Sequence, residues 1–350
     1  MDLGIKLSSV LREVKNSNSR QESVIIKPFI GSKYSDKFIH HFLVFMKPEL
    51  TSIENEVNVD EAINLILECF KYFGAEIGGI RAISSKLVIH EQLIEKNYFL
   101  LNQISKFGLE ACSASVLTRL QNITVPEVWE QIKVLGGFQF LDNYPKFNAY
   151  SLCALIDNVG SKKIGSNIYA TFLELMGEQL LVLNGFHPFQ YEWLTHSGSA
   201  IVAIEGFTNR SWKDIHHFLI GTIKPDMAQK GSIRREIFNA RKKIGISQSN
   251  IAFNGVHVSP GPLEAMFQIV NFFDSQAKRI LLSQTVFGKR LLLLGLDEET
   301  ISVLEKNPYV PWQGNEQPIF ELSEDMDGHF AEKIVNTTIV KSIIFSKHNL

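Results

Sequence analysis

His41-Phe-Leu-Val-Phe-Met46 runs directly into Lys47-Pro48. An apolar run of this length reads as a buried strand, and proline, with no N–H to give a ladder, ends it. Val59 to Phe73 follows with apolar residues at Ala62, Ile63, Leu65, Ile66, Cys69 and Phe70, a helical period. Asp60 and Glu61 suit the positive end of that helix, and Gly74 suits its stop. Ala75 to Ile83 reads as a second strand and Ala200-Ile-Val-Ala-Ile204 as a third. Then come a short helix over Ser211 to Ile220, capped by Ser211, a second helical segment over Ile233 to Lys243, and a strand over Ile251 to Val258. Gly261-Pro262 precedes a helix over Leu263 to Phe273. Strand, helix, strand, strand, helix, strand is the split βαβ pattern. It predicts an α+β protein with a ferredoxin-like βαββαβ core, its four-stranded antiparallel sheet carrying helices on one face.

The remaining residues are arranged around that core. Residues 1–37 are polar and weakly patterned apart from Val24-Ile-Ile26, and read as an N-terminal arm or small edge element. Residues 38–107 and 186–280 carry the two parts of the core, with Leu87 to Ile104 helical. Between them, 108–185 read as a helical insertion, including a long apolar helix over Asn167 to Leu183. Residues 281–350 form a C-terminal extension with strand candidates at Arg290 to Leu294 and Thr338 to Phe345.

Composition narrows the function. The 350 residues are 45% hydrophobic and 21% charged, an ordinary globular balance. A net charge of −2 offers no bulk attraction to nucleic acid or an anionic membrane, so no specific nucleic-acid binding is expected. Cys69, Cys112 and Cys153 are too few and too scattered for a disulfide framework or a zinc cluster. The first residues lack the order of a signal peptide, and the strongest apolar runs, such as Leu291-Leu-Leu-Leu294, are far too short to span a bilayer. A cytoplasmic protein away from membranes is expected. His40-His41 and His216-His217 are adjacent pairs whose side chains diverge, so neither reads as a metal site.

One local charge concentration stands out. Lys224, Lys230, Arg234, Arg235, Arg241, Lys242 and Lys243 are opposed within their segment only by Asp226 and Glu236. Such a segment concentrates a polyanionic substrate on a chain that is otherwise slightly acidic. Just beyond it, Asn254-Gly-Val-His257-Val-Ser259 places an imidazole beside an amide and a hydroxyl. Taken singly, each of these residues has an ordinary explanation. Lys47 is a strand-end lysine, Arg234 a charge on a helix face, and Glu264 a first-turn acid. Their order along a βαββαβ chain is what points to chemistry.

That order resembles the nucleoside diphosphate kinase family over roughly residues 38–104 and 186–273. Lys47-Pro48 matches the end of the family's first strand, although Glu49-Leu50 replaces its Asp-Gly. Gly231-Ser-Ile-Arg234 resembles the family's Gly-Thr-Ile-Arg, and Asn254-x-x-His257-x-Ser259 has the spacing of its active-site segment. The resemblance implies that His257 is a phosphorylated nucleophile and that Lys47, Tyr98, Thr222 and Arg234 contact phosphate. Asn254 would then bind the ribose. Ser259 or Glu264 would hold the second ring nitrogen of His257. A second phosphate-binding arginine is replaced, on ungapped counting, by His217.

The implied enzyme moves the γ-phosphate of ATP or another NTP to an NDP through a phosphohistidine in ping-pong fashion, with Mg²⁺ bridging phosphates. Its partners are nucleotides and, as in the family, further copies of itself. The departures keep two alternatives open: a specialised relative with a different acceptor, and a catalytically inactive nucleotide-binding or interaction protein.

Overall fold

The computed structural model describes residues 6–16, 22–52, 57–165, 167–196, 198–275 and 278–348. The chain separates into two compact units. One comprises Met1–Leu93, Leu194–Trp312 and Gln317–Leu350, the other Ile94–Trp193 with Gln313–Glu316. The borders therefore fall at 93/94 and 193/194, outside those expected at 107/108 and 185/186. The fold is mixed α/β, with sheets that are antiparallel apart from one parallel pair, Lys133–Gly136 with Glu178–Leu183.

The strands of the two larger sheets are β1 (Ser23–Lys27), β2 (His40–Met46), β3 (Glu76–Ser84), β4 (Lys133–Gly136), β5 (Lys162–Gly165), β6 (Ile168–Leu175), β7 (Glu178–Leu183), β8 (Ala200–Thr208) and β9 (Val256–Val258). The first unit holds a sheet in the order β1-β3-β8-β2-β9, antiparallel throughout. It has five strands where four were expected, because Val24-Ile-Ile26 of the N-terminal arm pairs with β3 at the edge. Residues 1–5 of that arm lie outside the described residues.

Every residue of β2 and of β8 is buried. Alternate residues of a strand face opposite sides, so a continuous apolar run requires cover on both. Phe42 stacks on Phe70 of the helix Val59–Phe73, with ring centroids 5.9 Å apart. On the other face Phe45 stacks on Phe272 of the helix Pro262–Phe273 at 5.3 Å. The expectation of helices on one face is thus corrected. The helix Val59–Phe73 starts where Asn58 Oδ1 accepts the Glu61 N–H at 3.1 Å and stops at Gly74, whose φ is +82°.

A carboxylate sits inside this core. Glu205 of β8 is fully buried and accepts backbone N–H groups from Ile30 (3.0 Å), Gly31 (2.7 Å) and Gly79 (2.6 Å), and His41 Nε2–H at 2.9 Å. Burial alone would raise its pKa, but the His41 hydrogen bond and charge, with the Ile30 and Gly31 amides, hold it below the usual carboxylate range. One side chain therefore ties the N-terminal arm to three strands. The irregular register at Gly78-Gly79 of β3 turns the Gly79 N–H toward it.

The second unit is not the helical insertion expected from sequence. It contains a four-stranded sheet in the order β4-β7-β6-β5. The long helix expected over Asn167 to Leu183 is instead the hairpin β6–β7. Two facts of its chemistry decide this. Thr171 and Leu173 are buried while Phe172 and Glu174 are exposed, a period of two. Met176 (φ +54°) and Gly177 (φ +81°) form the two-residue turn with positive φ that matches strand twist. Leu87 to Ile104 breaks into the helices Ser85–His90, Leu93–Asn97 and Phe99–Phe107.

The C-terminal extension holds helices where two strands were expected. Arg290 to Leu294 lies mostly in the helix Val286–Leu293, capped by Thr285 Oγ1 accepting the Gly288 N–H at 3.0 Å. Thr338 to Phe345 lies within the helix Gly328–His348. Short apolar runs do not separate helix from strand by periodicity. Packing decided it: Phe287, Leu291, Ile334 and Val335 share a core with Leu263, Met266 and Phe267. No described helix is long and apolar enough to cross a membrane.

Candidate functional site

The strand β9 is three residues long, shorter than the expected 251–258, and pairs with the end of β2: Val44 with Val258, Phe45 with His257, Met46 with Val256. Gly255, at φ +82°, turns the chain into it. Its N–H donates to Glu49 Oε1 at 2.9 Å and its carbonyl accepts the Lys47 N–H at 2.9 Å. Ser259 Oγ accepts the Leu43 N–H at 3.1 Å on the far side of the strand. Both ends of the short pairing are thereby fixed.

The side chains of Lys47 and Asn254 meet at this junction. Lys47 Nζ donates to Asn254 Oδ1 at 2.7 Å and to the Ala252 carbonyl at 3.4 Å. Burial, with Arg234 adding and Glu49 opposing, pushes the Lys47 ammonium down to about 8. Asn254 Nδ2–H in turn donates to the Ile251 carbonyl at 3.2 Å. Arg234 stands in the first turn of the helix Ile233–Ile244. Its two terminal nitrogens donate to the Gly221 carbonyl at 3.0 Å and the Val256 carbonyl at 3.1 Å, the latter one residue before His257.

His257 is half-buried, its ring stacked on Phe45 at 4.6 Å. Burial, then the charges of Lys47, Arg234 and His216, push it down to about 3, against a hydrogen bond with the Gln268 side chain. The imidazole is therefore neutral at neutral pH. Neutral imidazole is the form of histidine that can act as a nucleophile, and nearby cations can stabilise an anion.

The other residues singled out from sequence fall in different places. Ser259 Oγ bonds to the Leu43 backbone and holds strand register. Glu264 lies in the first turn of the helix Pro262–Phe273, its carboxyl pushed up to about 8 by burial and by Glu324. Gln268, one turn further along that helix, is a side chain whose hydrogen bonding acts on the His257 ring. The i,i+4 spacing from Glu264 to Gln268, on one helix face, was the sequence signal for it.

His217 is exposed and packs against Phe218 at 4.6 Å. Its neighbour His216 turns inward instead, because residues Ile215–Ile220 form a π-helix, with Gly221 N–H bonded to the His216 carbonyl at 3.0 Å. Thr222 is exposed, with its hydroxyl donating to the Lys224 carbonyl at 3.1 Å. Tyr98 belongs to the second unit, where its ring meets that of His187 edge-on at 6.5 Å. Of the basic segment, Arg235 bonds the Asp226 carbonyl and Lys243 pairs with Glu61, so Arg234 is the member at the His257 strand.

The sequence matches no family model and no curated protein. Among the solved structures similar to the chain are two kinases. One is a nucleoside-diphosphate kinase from Borrelia burgdorferi, a transition state mimic with bound vanadate and ADP, at 13% identity over 69% of this chain and 90% of that one, with a TM-score of 0.30. The other is an NDP kinase from Pyrobaculum aerophilum, at 17% identity over 69% and 98%, with a TM-score of 0.32. Both likenesses are distant. Residue roles rest on the geometry of this chain alone.

Proposed function

We propose that the chain is a phosphotransferase of the nucleoside diphosphate kinase kind, with His257 as its nucleophile and residues 38–93 and 194–273 as a ferredoxin-like catalytic core. The observation that carries this reading is the convergence of Lys47, Arg234 and Asn254, distant in sequence, around a neutral half-buried imidazole. A ring nitrogen of His257 attacks the γ-phosphorus of an NTP. The bond to the bridging oxygen breaks and the NDP leaves. The terminal oxygen of a second NDP then takes the phosphoryl group from the histidine. Lys47 and Arg234 offset charge on the transferred group, and Asn254 meets the ribose. Magnesium enters with the nucleotide, as the Mg–NTP substrate.

A second reading has its own observation. Arg234 and both polar atoms of the Asn254 side chain are already bonded within the protein. A ligand must compete with those bonds, which favours a specialised acceptor or a nucleotide binder that does not turn over.

One experiment separates the readings. The protein is incubated with γ-labelled Mg–ATP and assayed for acid-labile, base-stable label. Label on the wild type and none on His257→Ala is expected. Equal label on both, or none on either, ends the nucleophile assignment. Chasing the label with nucleoside diphosphates then identifies the acceptor.

A further inference from the structure

We propose that His216 is a third cation of the anion site beside His257, and that Asp325 of the C-terminal extension holds it there. The proposal deepens the phosphotransfer reading and rests on it. It also gives a role to a segment outside the βαββαβ run.

The argument is one of donors and acceptors. His216 Nε2 lies 3.0 Å from the Ser259 carbonyl oxygen, and Nδ1 bonds the Asp325 carboxylate. A backbone carbonyl only accepts. The Asp325 carboxyl also accepts: the His216 hydrogen bond, opposed by burial and aided by the charges of His216 and Lys213, holds it below the usual carboxylate range. Two acceptors require two N–H donors, and an imidazole that donates from both nitrogens is an imidazolium. Its carbonyl partner, Ser259, is two residues beyond His257, so the charge is set at the exit of the nucleophile's strand.

Asp325 is itself held in place. Its N–H donates to the Pro260 carbonyl at 3.1 Å, and its φ of +58° is the left-handed conformation that aspartate tolerates. Two residues on, Asp327 Oδ1 accepts the Trp212 N–H at 3.1 Å and lies 3.3 Å from His40 Nε2. Residues 323–327 therefore clasp both the turn after β9 and the start of the helix that carries His216. The ligand class is the terminal phosphate of a nucleoside di- or triphosphate.

The test uses the full chain. Ring-nitrogen NMR of ¹⁵N-histidine protein at pH 7 is expected to show His216 protonated on both nitrogens. Calorimetry with Mg–ADP is expected to show affinity falling about tenfold in His216→Gln and in Asp325→Asn, the loss of one nearby charge. His216→Lys, which restores a cation without the aspartate geometry, should return within about twofold of wild type.

A singly protonated His216, unchanged affinity in His216→Gln, or equal losses in the Gln and Lys variants would each overturn the proposal. So would a wild type that does not bind Mg–ADP. A wild type that binds Mg–ADP with these variant effects, yet takes no label on His257, would sink the phosphotransfer reading while upholding the cation.

Discussion

Lys47 Nζ donates a 2.7 Å hydrogen bond to Asn254 Oδ1, joining residues 207 positions apart at the junction of two paired strands. The bond satisfies a buried ammonium and fixes the amide that precedes β9. Asn254→Ala leaves the ammonium short of an acceptor and is expected to cost about 1–3 kcal/mol in urea unfolding. Combined with Lys47→Met, the loss should be smaller than the sum of the two single losses, because the partner needing the bond is gone. Strict additivity would show that the pair is not coupled.

The pH dependence of labelling follows from the two site groups. His257, pushed down to about 3, stays neutral through the ordinary range, so no rising limb near the usual histidine value is expected. Lys47, pushed down to about 8, loses its proton as pH rises through that value. The rate of His257 labelling at low ATP should be level from about pH 5 to 7 and fall above about pH 8. In Lys47→Arg the falling limb should vanish, since guanidinium keeps its charge. A rising limb centred near pH 6.5 would contradict the burial of His257.

Glu205 anchors the N-terminal arm, and its removal should be felt in stability. Glu205→Gln keeps the shape but turns an acceptor oxygen into a donor facing backbone N–H groups. A loss of about 2–4 kcal/mol is expected. The folded-state pKa is depressed, so the native contribution is present above the unfolded value near 4.5 and lost as pH falls through the folded value. Below pH 4.5 the wild type should therefore lose stability faster than the variant. Parallel acid limbs would show that Glu205 titrates alike in both states.

Glu264 has the opposite sign. Its folded pKa, pushed up to about 8, lies above the unfolded value. Stability is full below about pH 4.5 and declines as pH rises toward 8. Glu264→Gln should match wild type at pH 5 and exceed it at pH 9 by about 1 kcal/mol, a figure reduced for the partial exposure of the side chain. Thermal melts at the two pH values check this, and a variant less stable than wild type at pH 9 would refute it.

How much was legible in the chain differs by element. β2 and β8 were readable because continuous apolar runs bounded by Pro48 and by polar residues have few other uses. The helix Val59–Phe73 was readable because its caps and its period agree. The hairpin β6–β7 was not, because its apolar residues are dense enough to suit either period until Met176-Gly177 is recognised as a turn. The tail helices were missed for a similar reason: short apolar runs take the form their neighbours pack, here Leu263, Met266 and Phe267.

The site divides along the same line. Sequence alone determined which groups exist and their order: Lys47 at a strand end, Arg234 opening a helix, and Asn254 three residues before His257. These are local properties, set by spacing and by turn chemistry. Only the tertiary structure decided which of them meet. It turned His216 rather than His217 toward the Ser259 carbonyl, set Gln268 to act on the His257 ring, and brought Asp325 from far along the chain to His216. Helical phase, strand register and long-range packing set those choices, and none is encoded within the few residues on either side of the group it places.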